Sequence, residues 1–413
     1  MKRFFILLLT AAMALSLASC SGNMSSLSEE EPVEKDYSGY TIRIYSNSNS
    51  AERAQWLVQA ANEAGFTVSI DDGSVISGDV AALAAANENK DGDILFGLNE
   101  TRWSQVIDGE YENLSVIDWK PSWEFDIGRY TYPNKAYGLV IQNVLLLYRT
   151  DELGTNGEEL HFEHWADVVD CGYTWYRPNK VGGTTNSNIN AAILYAFIDP
   201  SSPAGGITVD GWKTLWRYCA EGRSGKDEYQ YGFLPLNKGD VQVSAYYSSS
   251  LYGQINMAAE SSQNPLRGTL TPENWALVDI KDGTYYIAEY IGILDKEGRS
   301  AWETEAVTAF AEWFGSAETQ AAWGAEFDTY PCNSKAANIL YPDGIPEIYT
   351  LPNFALTEAE GAGVTYAAYV ASHADEWMNI MTNLGFFWAD ENNASPEPDW
   401  DNLDWNALTK DAE

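Results

Sequence analysis

The chain predicts an α/β fold built from two successive strand-and-helix sets. Three observations carry this. Residues 41–70 read as strand, turn, helix, strand, an order that implies a parallel pair. Residues 93–96, Asp-Ile-Leu-Phe, form a continuous apolar strand of the kind that a sheet covered on both faces requires. Two long β-like runs, 137–148 and 284–293, flank a complete second set.

In chain order, Lys2 and Arg3 precede an apolar stretch, 4–17, of secretory length and too short for an ordinary membrane span. It ends in Leu17-Ala18-Ser19-Cys20, which resembles a bacterial lipobox and marks Cys20 as the lipidation site. Residues 20–39, rich in Ser and Glu, read as a flexible tether. Thr41 to Tyr45 alternate as the first strand, and a polar turn from Ser46 to Ser50 leads into a helix stopped by Gly65. Phe66, Val68 and Ile70 alternate as the second strand, and 79–87 is an Ala-rich helix. In the second set, 165–169 is helical and 173–177 β-like, followed by helices over 189–198 and 212–220. Val307, Phe310, Ala311 and Phe314 mark a later amphipathic helix, and Ser316 caps the next. The acidic end reads as frayed.

The composition excludes some functions. Sixty acids against 24 bases give a net charge of -36, which argues against nucleic acid and anionic membrane as partners. With so many carboxylates, paired acids are weak signals of catalysis. Cys171, Cys219 and Cys332 cannot all pair internally; one Cys171–Cys219 disulfide and three buried thiols both fit. His161 and His164 lie in His-Phe-Glu-His, which is not H-E-x-x-H, and read as structural. No nucleophile is organised with a base.

The stretch 239–253 stands out. A turn at Gly239-Asp240 opens a short strand through Val241, Val243 and Ala245, ending in the pair Tyr246-Tyr247. Open α/β sheets bind ligands beyond the carboxyl ends of their strands. Aromatics mostly serve packing, so one ring in the core and one on the surface is the plainer reading. The same holds for Trp103, Trp175 and Tyr176, which could otherwise stack on a sugar. Gly183, Thr184, Thr185 and Asn186 precede a helix and could offer N–H groups and hydroxyls to a ligand, or simply cap it.

Taken together, 44–49, Gly92 to Gly97, the run from Tyr137 to Arg149, Gly239-Asp240-Val241 with Tyr246-Tyr247, and 305–320 with Tyr330-Pro331 resemble the type 2 solute-binding proteins of ABC importers. The branch resembled includes ferric-ion binders and their polyamine, thiamine and phosphonate relatives. The resemblance implies a two-lobed type 2 periplasmic binding protein fold, two α/β lobes joined by crossover strands with a cleft between. It sets out a leader at 1–19, a lipidated tether at 20–39, a first lobe from 40–138 with 279–330, a second from 139–278 with 331–395, and an acidic tail at 396–413. It carries Tyr246 and Tyr247 onto paired metal-binding tyrosines. Phenolate oxygens are hard donors whose protons a trivalent ion can displace. The histidine that ferric binders often carry near the first turn is replaced here by Ser46, Asn47, Ser48, Asn49 and Ser50. Glu100 or Glu88 could supply an acid.

The expected protein is a membrane-tethered receptor facing the outside of the cell or the periplasm. It would pass ferric iron or a polar or cationic molecule to ABC permease subunits by lobe closure, without turnover. Ser46, Asn47, Asn49, Glu100, Gly183, Thr184, Thr185, Asn186, Tyr246 and Tyr247 would line the ligand. No cofactor is expected, a bound ferric ion being cargo; the chain would be monomeric, touching membrane through its lipid alone. The alternative is a secreted carbohydrate-active protein, either a sugar receptor or an acidic glycoside hydrolase with two carboxylates about 5–10 Å apart.

Overall fold

A computed structural model describes residues 35–48, 50–70, 80–123, 131–132, 134–151, 160–177, 184–224, 241–247, 274–283, 285–327, 329–337, 358–386 and 396–410. The expected leader, Cys20, Asn49, Gly183 and the turn after Tyr247 lie outside them.

Strand β1 (Tyr37–Ser46) leads into helix α1 (Ala51–Glu63), which Ser50 caps by accepting the Arg53 amide at 3.3 Å. Gly65, at φ 82°, takes the left-handed conformation that lets the chain leave the helix and enter β2 (Phe66–Ile70). Helix α2 (Val80–Ala86), β3 (Ile94–Leu98) and α3 (Glu100–Ile107) complete this part. The long β4 (Ala136–Arg149) enters the second set: a 3-10 turn at Trp165–Asp170, β5 (Trp175–Arg177), α4 (Thr184–Leu194), α5 (Val209–Glu221) and β6 (Val243–Tyr247). Then β7 (Trp275–Leu277) and β8 (Tyr285–Ile293) lead back. Helices α6 (Ala301–Phe314) and α7 (Ala317–Phe327), the short β9 (Tyr330–Pro331) and α8 (Tyr366–Asn383) follow. Among the described residues no helix is long and apolar enough to cross a membrane.

The main strands form one mixed sheet in the order β2-β1-β3-β8-β4-β6-β5. Its flanks are parallel, β1 with β2 and β3 on one side and β5 with β6 on the other. Its middle is antiparallel, where β8 pairs with β3 and β4, and β4 with β6. Alternate residues of the first flank feed two apolar layers. Ile42, Ile44, Ile94 and Phe96 pack under α1 and α6, while Tyr45, Leu95 and Leu98 pack with Trp103, Val106 and Tyr290 on the opposite face. A separate core forms around Val144, Leu146, Trp165, Trp212, Val243 and Tyr366. Along β4 the change of core falls between Val140, in the first, and Val144, in the second. The middle of the sheet is therefore where the chain crosses from one lobe to the other.

Several boundaries differ from expectation. Strand β1 begins at Tyr37, inside the 20–39 stretch expected to be tether, and Tyr37 stacks on Phe66 with ring centroids 5.6 Å apart. Leu139 and Val140 belong to the first core. Residues 279–280 belong to the second: they pair with 161–162, and Ile280 is buried there. Cys332 packs with the first lobe, since β9 pairs with β4 at Val140 and Ile141. The acidic tail docks instead of fraying. Trp400, Leu403, Trp405 and Leu408 pack on the second core, and Asn379 and Asn383 of α8 donate to the carbonyls of Thr409 (3.1 Å) and Leu408 (2.9 Å).

Cys171, Cys219 and Cys332 form no disulfide among the described residues, and burial pushes the Cys219 thiol up to about 12. His161 and His164 each meet an acid of the segment before β8, Asp279 at 2.9 Å and Asp282 at 3.0 Å.

Candidate functional site

The site forms where β1, β3, β4 and β8 meet. Strand β1 ends at Ser46, and Ser46 Oγ accepts the Ser48 amide at 3.1 Å, tightening the turn that enters α1. The turn presses on β3. A Cβ at Gly97, which sits at φ 95°, would lie 2.6 Å from Ser48 Cβ and 2.9 Å from its backbone nitrogen. Only glycine allows this approach. Arg53, one turn into α1, reaches back and donates to Ser48 Oγ at 2.6 Å and to the Ser48 carbonyl at 3.2 Å. Its guanidinium lies over Trp323 and Phe327, 5.7 and 5.6 Å from the ring centroids, so the cation is held on an aromatic platform.

Glu289 projects into this corner from β8. It is 6% exposed, and Arg53 Nη1 stands 4.0 Å from its Oε1. Gln142 of β4 donates a hydrogen bond to the same oxygen. Glu289 pairs with Val140, and Gln142 with Ile287, so this polar pair lies within the stretch where β4 changes cores. The second carboxylate oxygen of Glu289 and Asn47 Oδ1 are both buried without a hydrogen-bond partner among the described residues. Burial raises the Glu289 carboxyl above the usual carboxylate range, against the pull of Arg53, Ser48 and Gln142.

The structure brings some expected residues to this place. Ser46 and Asn47 line the turn. Tyr246 and Tyr247 end β6, paired with Leu145 and Val144, just past the crossing on β4. Helix α4, whose first turn contains Thr184, Thr185 and Asn186, lies against β4, β6 and β8. Glu100 opens α3 after the Asn99 cap, at the carboxyl end of β3. The side chains of Glu100, Thr184, Thr185, Asn186, Tyr246 and Tyr247 lie outside the described residues. Glu88 is not part of the site: it is exposed past the end of α2, before β3 begins. Trp103, Trp175 and Tyr176 are buried core residues.

Four residues of the corner, Ser48, Arg53, Gln142 and Glu289, were not among the expected ligand residues. Two carry a signal in the sequence. Glu289 is the one charge in β8, and Gln142 interrupts the most apolar run of the chain. A polar group inside an apolar strand calls for a partner or a ligand.

Two α/β lobes on a shared sheet, with antiparallel strands crossing between them and a polar corner at the crossing, define a two-lobed periplasmic binding protein of type 2. The chain belongs to the bacterial extracellular solute-binding protein family, whose model matches residues 55–354. It is 24% identical over 299 residues to a probable ABC transporter periplasmic-binding protein of Sinorhizobium fredii, covering 70% of this chain and 74% of that one. Its fold is similar to the Trichodesmium protein IdiA (FutA) in complex with iron and citrate, with a TM-score of 0.58 at 14% identity over 84% of this chain and 100% of the other. It is also similar to AgtB of A. tumefaciens in complex with agropinic acid, with a TM-score of 0.52 at 15% identity over 84% and 98%.

Proposed function

We propose that this solute-binding protein is the receptor of an ABC importer and captures a small polar or cationic solute at the crossing by lobe closure, without turning it over. The observation that carries the reading is the polar corner of buried Glu289 and Gln142 with half-buried Arg53 and Asn47, between strands that join two cores. The relative from Sinorhizobium fredii supports the importer, and the receptor family supports binding over an acidic glycoside hydrolase. The large negative charge favours cationic cargo over anionic cargo. Ferric iron is the second reading, favoured by the paired tyrosines at the end of β6 beside the crossing and by the iron-bound Trichodesmium neighbour.

A thermal-shift panel of ferric citrate, amines and sugars tests this, because a ligand of the folded state alone stabilises it by RT ln(1 + [L]/Kd). The compound that raises the melting temperature should also reduce the radius of gyration in small-angle scattering, as the lobes hinge about β4 and β8. A saturating ligand that leaves the radius unchanged would refute closure.

The receptor is carried on the cell surface or in the periplasm by a lipid on Cys20. The basic, apolar, small-residue–Cys order of residues 2–20 supports this. Cys20→Ser should release the protein or leave it as an uncleaved precursor. Normal processing with unchanged membrane fractionation would rule the anchor out.

A further inference from the structure

Resting on the receptor reading above, we infer that Glu289 and Asn47 form a paired acceptor site for the solute, and that the solute presents N–H or O–H donors there instead of a bare metal ion. The Glu289 carboxylate is held by Gln142 on Oε1 and by the Ser48 hydroxyl, and Oε1 faces Arg53 at 4.0 Å; Oε2 is buried without a hydrogen-bond partner among the described residues. A buried polar atom left unpaired is costly, and folded proteins keep such atoms where function uses them. Asn47 Oδ1 is the second case, on the residue preceding Ser48. The position a Gly97 Cβ would occupy lies 3.0 Å from Asn47 Oδ1 and 2.6 Å from Ser48 Cβ, and Ser48 stands beside Glu289. Both atoms are acceptors, so the missing partner is a donor.

Charge narrows the class further. Arg53 already balances Glu289 and is fixed in place by Ser48 and by the Trp323–Phe327 platform. A bare trivalent ion at Oε2 would sit close to that guanidinium, and like charges repel strongly in a buried site. A hydroxyl pair or a single ammonium adds little charge and satisfies both oxygens. Polyols and amines share this chemistry. Gln142 acts as a positioning residue, since it holds the carboxylate from the opposite crossover strand.

The test uses the mature chain in three forms: unaltered, Glu289→Gln and Asn47→Ala. Each is titrated with sugars and polyols, with mono- and diamines, and with ferric nitrilotriacetate. A polyol or an amine should stabilise the unaltered protein, and each substitution should weaken that compound roughly 10- to 100-fold, the cost of one hydrogen bond to a charged or buried acceptor. Which of the two compound sets responds identifies the donor. An organic binder with full affinity for both variants overturns the inference, as does ferric nitrilotriacetate as the single binder. A second measurement needs no solute. With no protein partner on its Oδ1 among the described residues, Asn47→Ala should melt within about 2 °C of the unaltered solute-free protein. A much larger drop would show that the fold itself uses the amide, and overturns the inference. Absence of any binder together with absence of compaction would count against the receptor reading, while the solute-free comparison still decides the role of Asn47.

Discussion

Asp93→Ala should lower the free energy of unfolding by about 3–5 kcal/mol in urea titration, the cost of breaking a buried ion pair by removing one partner. Asp93 stands just before β3 and is fully buried. Its Oδ1 accepts the Tyr40 hydroxyl at 2.7 Å, Arg299 Nη2 at 2.9 Å and Lys296 Nζ at 3.3 Å, while Oδ2 accepts the Arg43 amide at 3.0 Å. One carboxylate thereby ties β1, β3 and the segment entering α6. Lys296 is a quarter exposed and can be rehydrated when the acid is lost. Arg299, 4% exposed, cannot, and its charge would remain in the apolar interior uncompensated. A loss within about 1 kcal/mol, the range of an exposed pair, would mean that this network does not hold the first lobe together.

The Tyr246→Ala/Tyr247→Ala variant should lose about 4 kcal/mol of binding, roughly 10³-fold in Kd, if each ring stacks on a desolvated cationic solute. The pair ends β6, beside the β4 residues that follow Gln142, and the fold should survive truncation at the end of a strand. Phe substitutions separate the chemistries. Phe keeps the stacking face and loses the phenolate, so binding that survives in Phe and fails in Ala indicates a cation. Binding lost in both Phe variants, with a charge-transfer colour in the unaltered protein that fades on chelation, indicates ferric iron. Full affinity in the double Ala variant, with circular dichroism unchanged, would remove the tyrosines from the site.

Much of the scaffold was legible because local signals and the fold agree. The alternation of Thr41 to Tyr45, the apolar strand before Gly97, the stop at Gly65 and the cap at Ser316 each state a backbone conformation within a few residues. The corner was less legible because register makes it. Val140 faces Glu289 across 149 positions of sequence, and nothing near either residue announces the pairing. Arg53 reads as an ordinary surface residue of an amphipathic helix until Ser48 and the Trp323–Phe327 platform draw it inward. The tail misled for a different reason. Its acids suggested solvation, while Trp400 and Trp405, spaced among them, provide the apolar anchors that dock it.

The order of strands also constrains how the chain is made. Leu98 finds its neighbour in Tyr290, and most of the second core lies between them in sequence. A polypeptide emerging from its amino end can gather β1, β2 and β3 early, yet the layer that closes over them waits for β8 and α6, well past the midpoint of the chain. Such long-range closure is slow, because loop entropy is spent before the contacts repay it. For the exported receptor proposed above, slowness has a use: the first half stays threadable while the rest is still being synthesised.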